Sequence, residues 1–196
     1  MTVATQRRMS LEEFLTYDDG TDRRYELVDG VLVEMGAEST INTQIAGFLY
    51  GFFILMGVPS HLIGFKQKIE VRSGYVTARD PDLVVHTEES EAAIYGLSEA
   101  CLKLYDPNPS IVIEVVSPGP ESSDNYQRDY VQKPREYADR GIPEMWLIDP
   151  ARSVVKVGAL ADGAYDFAEF TGDSAIASPS FPTLNLTAAQ VLTAGR

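Results

Sequence analysis

Residues 110–116 read Ser-Ile-Val-Ile-Glu-Val-Val, and the fold turns on them. A short, unbroken run of β-branched residues suits a strand covered on both faces better than a helix. Glu114 sits in the middle of it with apolar neighbours on either side. A carboxylate in a strand core is costly unless it is neutralised, paired or bound to a metal. Glu114 is therefore the first candidate functional residue.

Downstream, SPGPESS (117–123) is a loop, and residues 124–140 read as a helix stopped by Gly141. Pro134 inside that helix predicts a kink or a second start. EMWLI (144–148) is a strand closed by Asp149-Pro150, and residues 154–160 and 165–170 form a hairpin around Asp162-Gly163. Upstream, Leu83-Val84-Val85 is a strand entered through Pro81, and residues 87–100 are a loop with an acidic, helix-like stretch. FKQKIEV (65–71) alternates as a half-exposed strand with Lys66 and Lys68 on its outer side. Residues 38–56 form the longest helix, capped by Ser39 or Thr40 and stopped by Gly57. Residues 25–28 and 31–34 flank Asp29-Gly30, a strong hairpin signal. Ser10 with Glu13 three residues on is a capping box for a short first helix. Residues 181–192 form a tail with little chemistry. The order predicts a mixed α/β (α+β) domain with a central sheet. Strands following one another exclude an alternating doubly wound pattern.

The 196 residues suit one domain, 1–196, with its core at about 10–170. A net charge of −13 repels phosphate and argues against a generic DNA-binding module. It argues less against a metal enzyme, because hard cations need carboxylates. Cys101 is the single cysteine, so neither a disulfide nor a thiolate metal site forms within the chain, and a cytoplasmic protein is expected. No apolar run follows the arginines of MTVATQRRMS, so no secretory leader is expected. IAGFLYGFFILMGV (45–58) is too short to span a membrane and reads as a buried helix. His61 and His86 lack zinc-site spacing, and no serine sits in a nucleophile elbow.

Asp82 stands at a strand entrance. Together with Glu114 it can share one Mg²⁺, whose preferred ligands are such oxygens. Asp80 reads as an exposed turn residue. Glu26 and Lys133 each leave two readings open, a solvated surface residue or a functional one. Lys66 and Lys68 read as an exposed face that could also touch phosphates.

Four segments in order carry a resemblance: YELVDGVLVEM (25–35), RDPDLVV (79–85), IVIEVVSPGPES (111–122) and RDYVQKPREYADRGIPEMWLIDP (128–150). They resemble the Uma2 family (DUF820) of the PD-(D/E)xK restriction endonuclease-like superfamily. The resemblance implies a mixed sheet flanked by helices, with extra hairpins. It implies that Pro81-Asp82 is the family's PD and Glu114 the acid of its (D/E)xK element. Val116 stands where the lysine of that element is expected, and Lys133, in the pattern Arg128-Asp129, Lys133, Tyr137, supplies it instead. Glu26 matches an early family acid, and Ile41-Asn42 stands where the family pattern has a histidine. The implied activity is endonucleolytic hydrolysis of phosphodiester bonds in DNA, with Mg²⁺ or Mn²⁺ held by Asp82, Glu114 and the Val115 carbonyl. Glu26 would ligate a second ion or orient water, and Lys133 would position water or stabilise charge. The alternative is a catalytically weak or inactive binding or assembly protein on the same fold. The apolar excess of the long helix (Phe48, Leu49, Phe52, Phe53, Leu55) reads as core burial or as a dimer interface, and a homodimer is expected.

Overall fold

Two mixed sheets carry the fold, where the sequence reading expects one. The computed structural model describes residues 7–36 and 39–196, so the expected helix start at Glu38 lies outside the described residues. The first sheet contains β1 (Tyr25–Val28), β2 (Val31–Glu34), β4 (Lys68–Val71), β5 (Thr77–Arg79) and β7 (Cys101–Leu102), in the order β2-β1-β5-β4-β7. The second contains β3 (Ile63–Gly64), β6 (Leu83–Val85), β8 (Ile111–Val115), β9 (Glu144–Asp149), β10 (Val154–Ala161) and β11 (Ala164–Phe170), in the order β11-β10-β9-β8-β6-β3. Among the described residues only β8–β9 and β4–β7 pair in parallel.

The helices are α1 (Leu11–Leu15), α2 (Thr40–Leu55), α3 (Glu88–Ile94), α4 (Asp124–Tyr126), α5 (Lys133–Arg140) and α6 (Ala188–Leu192). The Ser10–Glu13 capping box opens α1, and Ser39 caps α2. Both expected hairpins form on Asp-Gly turns with positive φ at both central residues, Asp29-Gly30 and Asp162-Gly163. That conformation matches the twist of the strands it joins.

FKQKIEV is not one strand. Its beginning leaves β3 in the second sheet, and its end enters β4 in the first. The paired segment divides in the same way, with β5 in the first sheet and β6 in the second. Pro81 lies at that break, where it cannot donate to a ladder. The pairing keeps one register on both sides: Gly64 opposes Val84, and Ile69 opposes Arg79. A two-stranded ribbon thus bends from one sheet into the other, and its register sets Lys66 opposite Asp82.

β8 is buried throughout. Ile111, Ile113 and Val115 pack on one face against Ile45, Leu49 and Phe53 of α2. Val112 and Val116 pack on the other against Ile69 and Val71 of β4 and Tyr137 of α5. Glu114 shares the parity of Val112 and Val116, so it points towards α5. The C-terminal segment is no bare tail: Leu186, Ala188 and Val191 are buried in the α2 core, with Phe181 5.1 Å from the Phe53 ring. This segment packs against much of the apolar excess of α2, the core-burial side of the two readings that the sequence left open. Leu55 remains 88% exposed.

Candidate active site

The ladder between β6 and β8 pairs Leu83 with Ile113 and Val84 with Val112. One residue further, Asp82 faces Glu114. Adding the ribbon's register gives a row across three chain segments, Lys66, Asp82 and Glu114, with Lys133 closing it from above. Lys66 Nζ pairs with Asp82 Oδ1, and the Val115 N–H donates to Asp82 Oδ2 at 2.6 Å. Lys133 Nζ donates to Glu114 Oε2 at 2.7 Å, and the Tyr137 hydroxyl donates to Glu114 Oε1, also at 2.7 Å.

The helix that delivers Lys133 is irregular for a reason written in its sequence. Pro134 has no N–H, and its ring collides with the carbonyl four residues back. The turns before it widen into a π-helical stretch, Gln127–Gln132, where the Lys133 N–H reaches back to the Arg128 carbonyl. Insertions of this kind are frequent at functional sites. Here Lys133 reaches Glu114 while Asp129 stands beside it, its Oδ1 3.5 Å from the ammonium.

A cavity of about 270 Å³ opens onto this row. Asp82, Glu114, Val115 and Lys133 line it, together with Asp80, Asp129, Asn42, Arg24, Lys66 and Arg128. Four of the five predicted site residues therefore meet at one place. The fifth, Glu26, lies behind Lys133 and does not line the cavity. It is fully buried, not solvent-facing, and accepts from Arg79 Nη1 at 2.9 Å and from the Asp80 N–H at 3.3 Å. Arg79 is as deeply buried and grips Glu136 through two nitrogens at 2.6 and 2.8 Å.

Sequence reasoning missed three residues here. Asp80 is buried, not exposed; Arg24 holds its Oδ2 at 2.7 Å, while its enclosed Oδ1 has no hydrogen-bond partner. Asn42 donates to the Val115 carbonyl at 3.2 Å. Asp129 is buried and accepts from the Ser117 N–H and from Arg128 Nε. The Arg-Asp-x-x-x-Lys spacing held that signal, because residues four apart share a helix face.

Burial dominates the charge states. It raises Glu114, and Asp82, Asp129 and Glu26 add to the rise against the pull of Lys133, leaving its pKa at about 7. Burial raises Asp82 and Asp80 as well, against Lys66 and Arg24 respectively. Burial opposes the charge on Lys133, but Glu114, Glu26 and Asp129 outweigh it and hold the ammonium protonated. For Glu26 the attraction of Lys133 and Arg79 overcomes burial and brings its pKa to about 2.

The family model Uma2, described as "putative restriction endonuclease", matches residues 11–189. A crystal structure titled as a putative nuclease belonging to DUF820 from Anabaena variabilis ATCC 29413 shares the fold at a TM-score of 0.70. It is 19% identical, and the match covers 96% of this chain and 99% of that one. No curated protein matches. With nearly the whole described chain inside the family model, this protein belongs to the Uma2 family.

Proposed function

We propose that the protein is a divalent-metal-dependent endonuclease that hydrolyses phosphodiester bonds in DNA. The observation that carries this reading is the facing of Asp82 and Glu114 on adjacent strands at one cavity, with Lys133 fixed on Glu114. The donor set suits a hard cation in kind: two carboxylates, the neighbouring Val115 carbonyl, and room for waters. Lysine ammonium groups rest on both carboxylates, which marks each as a cation-binding position. The rise of the Glu114 pKa comes first from burial, with the neighbouring acids Asp82, Asp129 and Glu26 adding to it against Lys133.

Bound there, Mg²⁺ or Mn²⁺ would supply charge neutralisation at the phosphate and a water more acidic than bulk water. The chain's own groups do the rest. Tyr137 fixes the Glu114 carboxylate in one orientation. Lys133 keeps its proton, so it serves as a hydrogen-bond donor to developing negative charge and not as a base. Glu26 and Asp129 hold the ammonium in place, and we assign Glu26 this positioning role in place of a second-ion ligand. Lys66, Arg24 and Arg128 line the opening, where a phosphate backbone would meet them.

A second reading has its own support. Both Glu114 oxygens are engaged by protein donors, and among the described residues no three His, Cys, Asp or Glu side chains form a ready metal cage. This arrangement also suits a nuclease-fold protein that binds or assembles without cleaving. Isothermal titration with Mg²⁺ and Mn²⁺, paired with cleavage of supercoiled plasmid, separates the two. The enzyme reading expects saturable binding and metal-dependent nicking, with nicking reduced at least about a hundredfold in Glu114→Gln. Absence of binding by the wild type at millimolar metal would establish the second reading.

A further inference from the structure

The reading above places Lys66 at the opening but does not account for its pairing with Asp82. Its backbone lies in the left-handed region, at φ 52°. For a lysine this conformation is strained, and such strain persists where surrounding structure demands it. The demand is visible on both sides. Gly64 has no side chain, and a Cβ there would lie 1.6 Å from the Gln67 amide oxygen. Gln67 therefore folds over Gly64 and reaches His86 Nε2 at 2.5 Å. Pinned at Gly64 and Gln67, the corner turns Lys66 towards the cavity and Asp82.

Asp82 has one oxygen fixed by the Val115 N–H and the other covered by Lys66. A cation approaching Asp82 from the cavity meets the oxygen that Lys66 already holds. Lys66 also lies nearer solvent than Lys133: its side chain is 30% exposed, whereas that of Lys133 is 4% exposed among three acids.

We infer that Lys66 is a built-in competitor for the divalent ion: the Lys66 ammonium and the metal occupy Asp82 in turn, never together. The inference rests on the metal-dependent reading and adds regulation of the same site. A protein whose binding-competent form is a minor fraction shows an apparent affinity reduced by that fraction. A partly buried charge-assisted hydrogen bond makes that reduction about tenfold or more.

The test titrates Mg²⁺ into the full chain and into Lys66→Met, Lys66→Gln and Lys66→Arg by calorimetry, with thermal melts at zero and saturating metal. The neutral variants should bind about tenfold tighter. They should melt lower than wild type without metal yet gain more from it, whereas Lys66→Arg stays near wild type. A residue that merely braced the corner would shift both melts equally. Wild type gives an independent readout by ¹H–¹⁵N detection of lysine ammonium groups. The Lys66 signal should vanish as Mg²⁺ saturates, while that of Lys133 persists. Real binding with equal or weaker affinity in the neutral variants, or a Lys66 signal that survives saturation, sinks the competitor and leaves the metal site standing. No binding by any form removes both.

Discussion

His86 is 3% exposed, with Ser90 Oγ 3.0 Å from Nδ1 and the Gln67 amide oxygen at Nε2. Burial lowers its pKa from 6.5 to about 4. The unfolded chain therefore takes up this proton first as pH falls. Its contribution is intact above about 6.5 and is lost as pH drops towards 4, amounting to about 2–3 kcal/mol. Chemical denaturation from pH 7 to pH 4 should show His86→Gln losing that much less stability than wild type; parallel curves would contradict it. Legibility at this scale followed isolation from like residues. Glu114 stood out because everything beside it is apolar. Glu26 and Asp80 did not, because an alternating strand and a Pro-Asp turn normally face water. Glu26 is buried against Arg79 and under Lys133 of α5, and Asp80 against Arg24, and no local pattern announces such distant partners.

Helices and hairpins with their own punctuation were readable in advance. The Ser10–Glu13 box, the two Asp-Gly turns and the glycine stop at Gly141 all act within a few residues. Gly141 ends α5 at φ 91°, and Asn108 donates to its carbonyl at 3.0 Å. Gly141→Ala should cost about 1 kcal/mol, a fall of about 2–4 °C in Tm, and calorimetry would expose any larger role for the glycine. Elements defined by distant partners were not readable. β7 is two residues long and exists through its pairing with β4. FKQKIEV divides because its two ends pair in different sheets, which alternation alone cannot reveal. The proline in the Lys133 helix announced a disturbance, and the disturbance took the form of a π-helical stretch rather than a kink.

For the whole molecule, the C-terminal segment closes the face of the second sheet opposite the site. Phe181 packs on Phe53, whose ring lies 6.3 Å from the fully buried Trp146. Trp146 is the only tryptophan, so it reports on that cover. Removing residues 174–196 should abolish the cooperative melt and shift tryptophan emission to the red; an unshifted, cooperative truncation would show the segment dispensable. Among the described residues no helix is long and apolar enough to cross a membrane. The candidate site draws on both sheets, the ribbon between them and the crossover from β8 to β9. Four motifs told which residues matter, but their order along one row depends on two registers. One detail of that row reaches further. Val116 lies on the same face of β8 as Glu114, beneath the helix that carries Lys133. A positive charge could therefore reach Glu114 from the strand or from the helix above it. The address of the lysine is a point in space with two street numbers, and a search that accepts only one will pass over proteins that keep the same chemistry at the other.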